Sequence, residues 1–189
     1  MTRSSFAAAP TRYSATAIAL HWLLALMLIG LFGVGVYMAD LPVSPQRLKL
    51  YNWHKWAGIT VLTLSLLRLL WRLSHRPPAL PEALLQTMPG WQRLAHHSTH
   101  LAMYVLFFAV PLTGWAYSSA SGFRVMLFGR FPLPDFVPIS QVLADNLQLG
   151  HRVLAMSLAL LVLVHVAAAL KHQWVDRDGL LARMLPGQR

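Results

Sequence analysis

His151 and His165 stand fourteen residues apart in GHRVLAMSLALLVLVHVAAALKH (150–172), a stretch otherwise suited to hydrocarbon. An imidazole inside a membrane span is costly unless it has a partner, which makes it a candidate for function. A single such residue is more often bonded to a neighbouring hydroxyl or carbonyl; here the positions form a pattern. At 100° per residue, fourteen residues bring a helix back to within about 40° of its starting face and advance it by about 21 Å. The two imidazoles therefore look the same way at two depths, too far apart to share one ion.

Partners follow from depth. His21 lies about two turns inside the first apolar segment, level with His165. His54 opens the second segment, level with His151. Two imidazoles from facing helices at one level suit axial ligation of a haem iron. Zinc usually takes three or four protein ligands, and each level offers two clear ones. Each proposed ligand has a small residue four positions on (Ala25, Gly58, Ala155 and Ala169). That removes bulk from the helix face on which a flat macrocycle has to lie.

The elements that must hold these residues are long and apolar. Of 189 residues, 56% are hydrophobic and only 12% charged, and the mean hydropathy is +0.49. One soluble core of this length cannot bury so much apolar surface, so the composition indicates an integral membrane protein. Four segments reach the roughly 20 residues a bilayer requires: about 15–38, 53–73, 100–120 and 149–171. The length of the first, and its want of a convincing small-residue cleavage site, argue against a removable signal peptide. The second carries Arg68 and Arg72 near its end, where their stems can snorkel. Pro111 is expected to kink the third, and Ser140 to cap a helix leading into the fourth. The Pro-rich 74–97 stretch reads as a connection with one interfacial turn. The expectation is an all-α, four-transmembrane-helix bundle, one domain over 1–189.

Charge and missing residue types narrow the chemistry. There is no cysteine, which excludes disulfides, thiolate zinc sites, cysteine-ligated iron–sulfur clusters and covalent haem attachment. The net charge of +10 is spread around the apolar runs rather than gathered in one tract. It fits loops beside anionic lipid headgroups and not nucleic acid. Arg3, Arg12, Arg72, Arg76, Arg93, Lys171, Arg177, Arg183 and Arg189 fall on one side; Arg47, Lys49, Lys55, Arg124, Arg130 and Arg152 fall on the other. The excess on the first side predicts cytoplasmic N- and C-termini.

HW at 21–22, the His54 beside Lys55, the His151/His165 pair followed by AAAL, PLTG (111–114) in the third span and LARMLP near the end together resemble the bacterial cytochrome b561 family. The similarity runs over nearly the whole chain. It implies a di-haem, four-helix protein of the inner membrane, with two non-covalent b haems and electron exchange with ubiquinone. Some members of that family oxidise superoxide on the periplasmic side.

The remaining polar residues take roles within that expectation. Lys55 and Arg152 adjoin the outer ligands; they serve either haem propionates or, with Lys49, Arg124 and Arg130, a positive field that draws a small anion to the outer level. His172, two turns beyond His165, supplies a hydrogen-bond donor and proton route for a quinone. Arg68 or Arg72 orients a quinone carbonyl or meets a propionate. His100, at the start of the third span, is the rival haem ligand, and His96 with His100 forms an i, i+4 pair that lacks further zinc ligands. The expected function is electron transfer between a periplasmic donor, superoxide among the candidates, and ubiquinone. Two alternatives stay open: an anchor that relays electrons for a partner dehydrogenase or soluble cytochrome, and a histidine-lined metal or proton transporter without haem.

Overall fold

The computed structural model describes residues 12–80, 82–87 and 89–187. Arg3 and Arg189, which entered the charge comparison, lie outside them. Helix α1 covers Ala15–Ala39, α2 Pro45–Ser74, α4 Gly90–Ala120 and α5 Gln141–Lys171, with a short α3 at Glu82–Thr87. The four long helices are each apolar enough to cross a membrane, so the chain is a multi-pass membrane protein. Helix α4 packs chiefly on α5, α1 on α2, and α2 on α4. Large side chains such as Leu26, Ile29, Leu160 and Leu163 remain exposed on the outside of the bundle, as lipid-facing residues do.

Three of the four long helices start at a side-chain cap, and α4 starts without one. Ser14, Ser44 and Ser140 accept hydrogen bonds from the backbone N–H groups of Ala17, Arg47 and Leu143, satisfying donors that each first turn leaves orphaned. Ser140 thus caps as its position predicts. The helices outrun the apolar windows, because their polar ends lie where backbone helix is still favourable without burial. The 90–97 third of the expected connection is consequently helical, as the first two turns of α4.

One end of the bundle carries the first and last described residues and the connection between α2 and α4. There the C-terminal segment is strapped beneath the helices. Arg12 donates to the carbonyls of Ala182 and Leu185 (3.2 and 2.7 Å), Trp22 Nε1 to Met184 (2.8 Å), and Arg183 to Ala79 (2.8 Å). The opposite end carries the 40–44 link and the 121–139 loop. That loop holds a hairpin of β1 (Met126–Leu127) and β2 (Phe131–Pro132), which turns through left-handed Phe128 and Gly129. Trp56 Nε1 bonds the Met126 carbonyl, and Lys55 Nζ the Phe123 carbonyl. Midway between the ends, Met103, Leu106 and Leu158 form a buried apolar plug. Leu158 is the midpoint of the interval from His151 to His165.

Candidate functional site

The four histidines meet in the two pairs that their depths predict. The ring centroids of His54 and His151 are 6.2 Å apart, and those of His21 and His165 are 6.3 Å apart. The planes within each pair are steeply inclined, at 84° and 65°. Two imidazoles that share an iron in trans, each nitrogen about 2 Å from it, place their centroids about 6 Å apart. Both pairs meet that requirement, one above the apolar plug and one below it.

At the level of His54 and His151, His151 Nδ1–H donates to the Val110 carbonyl at 2.9 Å. This fixes the tautomer and leaves Nε2 as the nitrogen free to hold a metal. His54 Nδ1 is buried and finds no hydrogen-bond partner among the described residues. Two glycines back the rings. A Cβ at Gly114 would come within 3.0 Å of His151 Cε1, and one at Gly35 within 3.2 Å of His54 Cε1. By contrast, a Cβ at Gly58 would meet no atom within 4 Å, so the helix is open one turn on from His54. These features fit a haem.

The level of His21 and His165 is wired differently. Arg68 donates to the Ala17 carbonyl (3.2 Å) and to His21 Nδ1 (3.3 Å). Arginine only donates, so Nδ1 is the acceptor in this arrangement and the proton sits on Nε2. Iron at Nε2 requires that proton to leave. His100 stacks edge-on against His165 at 5.2 Å and touches His96 at 4.7 Å. Its separation from His165 is about 1 Å short of the trans spacing. Arg72 lies over the Tyr104 ring at 5.5 Å, on the same side as His100.

The flanking candidates separate. Lys55 is half-buried beneath the 121–139 loop, beside His54. Arg152 is exposed, in a surface groove with Leu149, Val153 and Met156. Lys49 sits over Trp53 and Arg124 pairs with Asp135 at 2.8 Å. That hydrogen bond from Arg124 holds the Asp135 carboxyl below the usual carboxylate range. His172 forms a cluster that sequence reasoning missed: its Nδ1 is 2.5 Å from Asp178 Oδ2 and 3.2 Å from Asp176 Oδ2.

The family model described as prokaryotic cytochrome b561 matches residues 12–187, all four spans and both histidine pairs included. The chain belongs to that family. As a b561 cytochrome it is a membrane electron-transfer protein with b-type haem. It is 36% identical over 182 residues to cytochrome b561 homolog 2 of Escherichia coli K12, covering 96% of this chain and 95% of the relative. It is 32% identical over 180 residues to the probable superoxide oxidase CybB of Yersinia pestis, covering 94% and 98%. Cytochrome b561 homolog 1 of the same E. coli strain is 29% identical over 181 residues, 94% of this chain and 99% of the relative. In this cytochrome PLTG and LARMLP have local physical reasons. The glycine of the first (Gly114) backs His151, and the second presents the carbonyls that Arg12 and Trp22 hold.

Proposed function

We propose that this cytochrome moves electrons across the bacterial inner membrane from superoxide, on the periplasmic side, to ubiquinone near the cytoplasmic side. The observation that carries the reading is the pairing of four imidazoles into two sets, 6.2 and 6.3 Å apart, at two levels of one bundle. His54 and His151 hold the outer haem b; His21 and His165 hold the inner one. Bound haem b supplies a reversible one-electron couple at each level.

The chain's own residues do the rest. The Val110 carbonyl keeps His151 in its ligating tautomer. The plug of Met103, Leu106 and Leu158 keeps water from the path between the levels. Lys55, with Arg124, Arg130 and Arg152, gives the outer face a positive field that raises the encounter rate of a small anion. At the inner level His172 hydrogen-bonds a quinone, and Arg68 or Arg72 orients its second carbonyl or a propionate. Similarity to a protein named a probable superoxide oxidase supports the choice of donor, and the nine-to-six distribution of Lys and Arg supports cytoplasmic termini.

The test is stopped-flow mixing of oxidised protein with pulsed superoxide while the reduced b-type α-band is followed. Fast, saturating reduction that slows as salt is raised is expected. Slow, non-saturating and salt-insensitive reduction would reject superoxide as the donor.

A further inference from the structure

Beyond α5 the chain makes a π turn over His172–Asp176 and then enters the left-handed region at Arg177 (φ 53°). That geometry brings Asp178, six residues on, back to the ring of His172. The contact is held from several sides. The Asp178 N–H bonds the His172 carbonyl at 3.3 Å, Asp178 Oδ1 accepts the Leu180 N–H at 3.1 Å, and Asp178 Oδ2 accepts His172 Nδ1–H at 2.5 Å. Asp176 is nearer in sequence but is otherwise engaged, since Lys171 Nζ reaches both its oxygens at 2.8 and 2.6 Å. The shorter distance therefore assigns the single Nδ1 proton to Asp178. The Asp178 side chain is 11% exposed against 23% for His172, so the carboxylate is sheltered behind the ring.

We infer that Asp178 is a positioning residue for quinone reduction, holding His172 so that Nε2 alone exchanges protons with the substrate. This rests on the quinone reading above. Reduction of ubiquinone by superoxide consumes two protons: two superoxide anions and one quinone give two dioxygen molecules and one quinol. Solvent supplies one of these protons directly and His172, protonated on both ring nitrogens when it acts, supplies the other. Its Nε2–H bond breaks as the O–H bond to a quinone oxygen forms, leaving a neutral ring with its proton on Nδ1, and a proton taken up from solvent restores Nε2–H. The proton on Nδ1 stays with Asp178 throughout, so the imidazole returns to neutral rather than to an anion.

The geometry specifies a discriminating variant. In Asp178→Asn the side-chain oxygen keeps the Leu180 N–H, so the amide NH2 faces His172 Nδ1. Nδ1 must then accept and the proton moves to Nε2, the inverted tautomer. Dithionite-reduced, haem-loaded protein is mixed anaerobically with ubiquinone-1 and haem oxidation is followed across quinone concentrations. Asp178→Asn is expected to lower the limiting rate at least about tenfold, with the half-saturating quinone concentration within about twofold of wild type. Asp178→Glu restores most of the rate, and in a His172→Ala background Asp178→Asn causes no further loss. A wild-type limiting rate in Asp178→Asn, an equal loss in the His172→Ala background, or loss of either haem would overturn the inference, the last two by marking Asp178 as scaffold. If reduced wild-type protein is not oxidised by ubiquinone at all, the quinone reading itself falls.

Discussion

Gly114 and His151 are 37 positions apart in sequence, yet a single added methyl group tests whether they work together. Gly114→Ala places a Cβ 3.0 Å from His151 Cε1, while the ring is tied to Val110. Overpacking costs about 1–3 kcal/mol, partly offset by about 1 kcal/mol of helix propensity gained over glycine. Stability is therefore a blunt readout, and the ligand field is a sharp one. Electron paramagnetic resonance should show the outer low-spin signal shifted or lost in Gly114→Ala. A smaller change is expected in Gly35→Ala, whose Cβ would stand at 3.2 Å. An unaltered outer signal in Gly114→Ala would detach the glycine from the site. His100 gives the complementary prediction. Its 5.2 Å separation from His165 is short for trans ligation, so His100→Ala should keep both haems, and haem loss in that variant would make it a ligand. The pairing was legible because depth and helical period together place His21 with His165 and His54 with His151. Asp178 was not legible, since i+6 is off any helix face and only the π turn and left-handed Arg177 bring it home.

Among the elements, the 121–139 loop and the C-terminal strap were the least predictable parts, for the same reason. Both are fixed by bonds from side chains to distant carbonyls, and carbonyls carry no sequence signal. Tryptophans near the ends of the spans tie elements together: Trp22 holds the strap, Trp56 the hairpin, and Trp71 bonds the Ser14 hydroxyl. Arg12→Ala removes two charge-assisted bonds to the strap and should lower unfolding stability by about 1–3 kcal/mol. An unchanged melting temperature would show that the strap is not held this way. Within the loop, the Arg124 bond to Asp135 titrates on the acid side. A carboxyl with a depressed folded value contributes fully above its unfolded pKa, about 3.9, and the contribution is lost as pH falls through the folded value. Asp135→Asn should therefore loosen the loop at pH 7, seen as faster amide exchange, with the difference from wild type vanishing in strong acid. A difference that persists in strong acid would exclude the ion pair as its cause.

For the whole molecule, a net charge of +10 and a hydrophobic majority gave the membrane class and the four-helix bundle before any contact was known. Helix lengths escaped that reading. Hydropathy reports where lipid is, whereas capping decides where helix begins, a signal legible at Ser140 and missed at Ser44. The bundle's organisation is two imidazole pairs separated by an apolar plug centred on Leu158, with basic residues at both ends. Its most direct test is haem counted per polypeptide by the pyridine haemochrome spectrum. Two b haems are expected in the wild type, and one each in His54→Ala and His21→Ala, with the remaining haem spectrally intact. A single haem in the wild type, or two in either variant, would contradict the assignment.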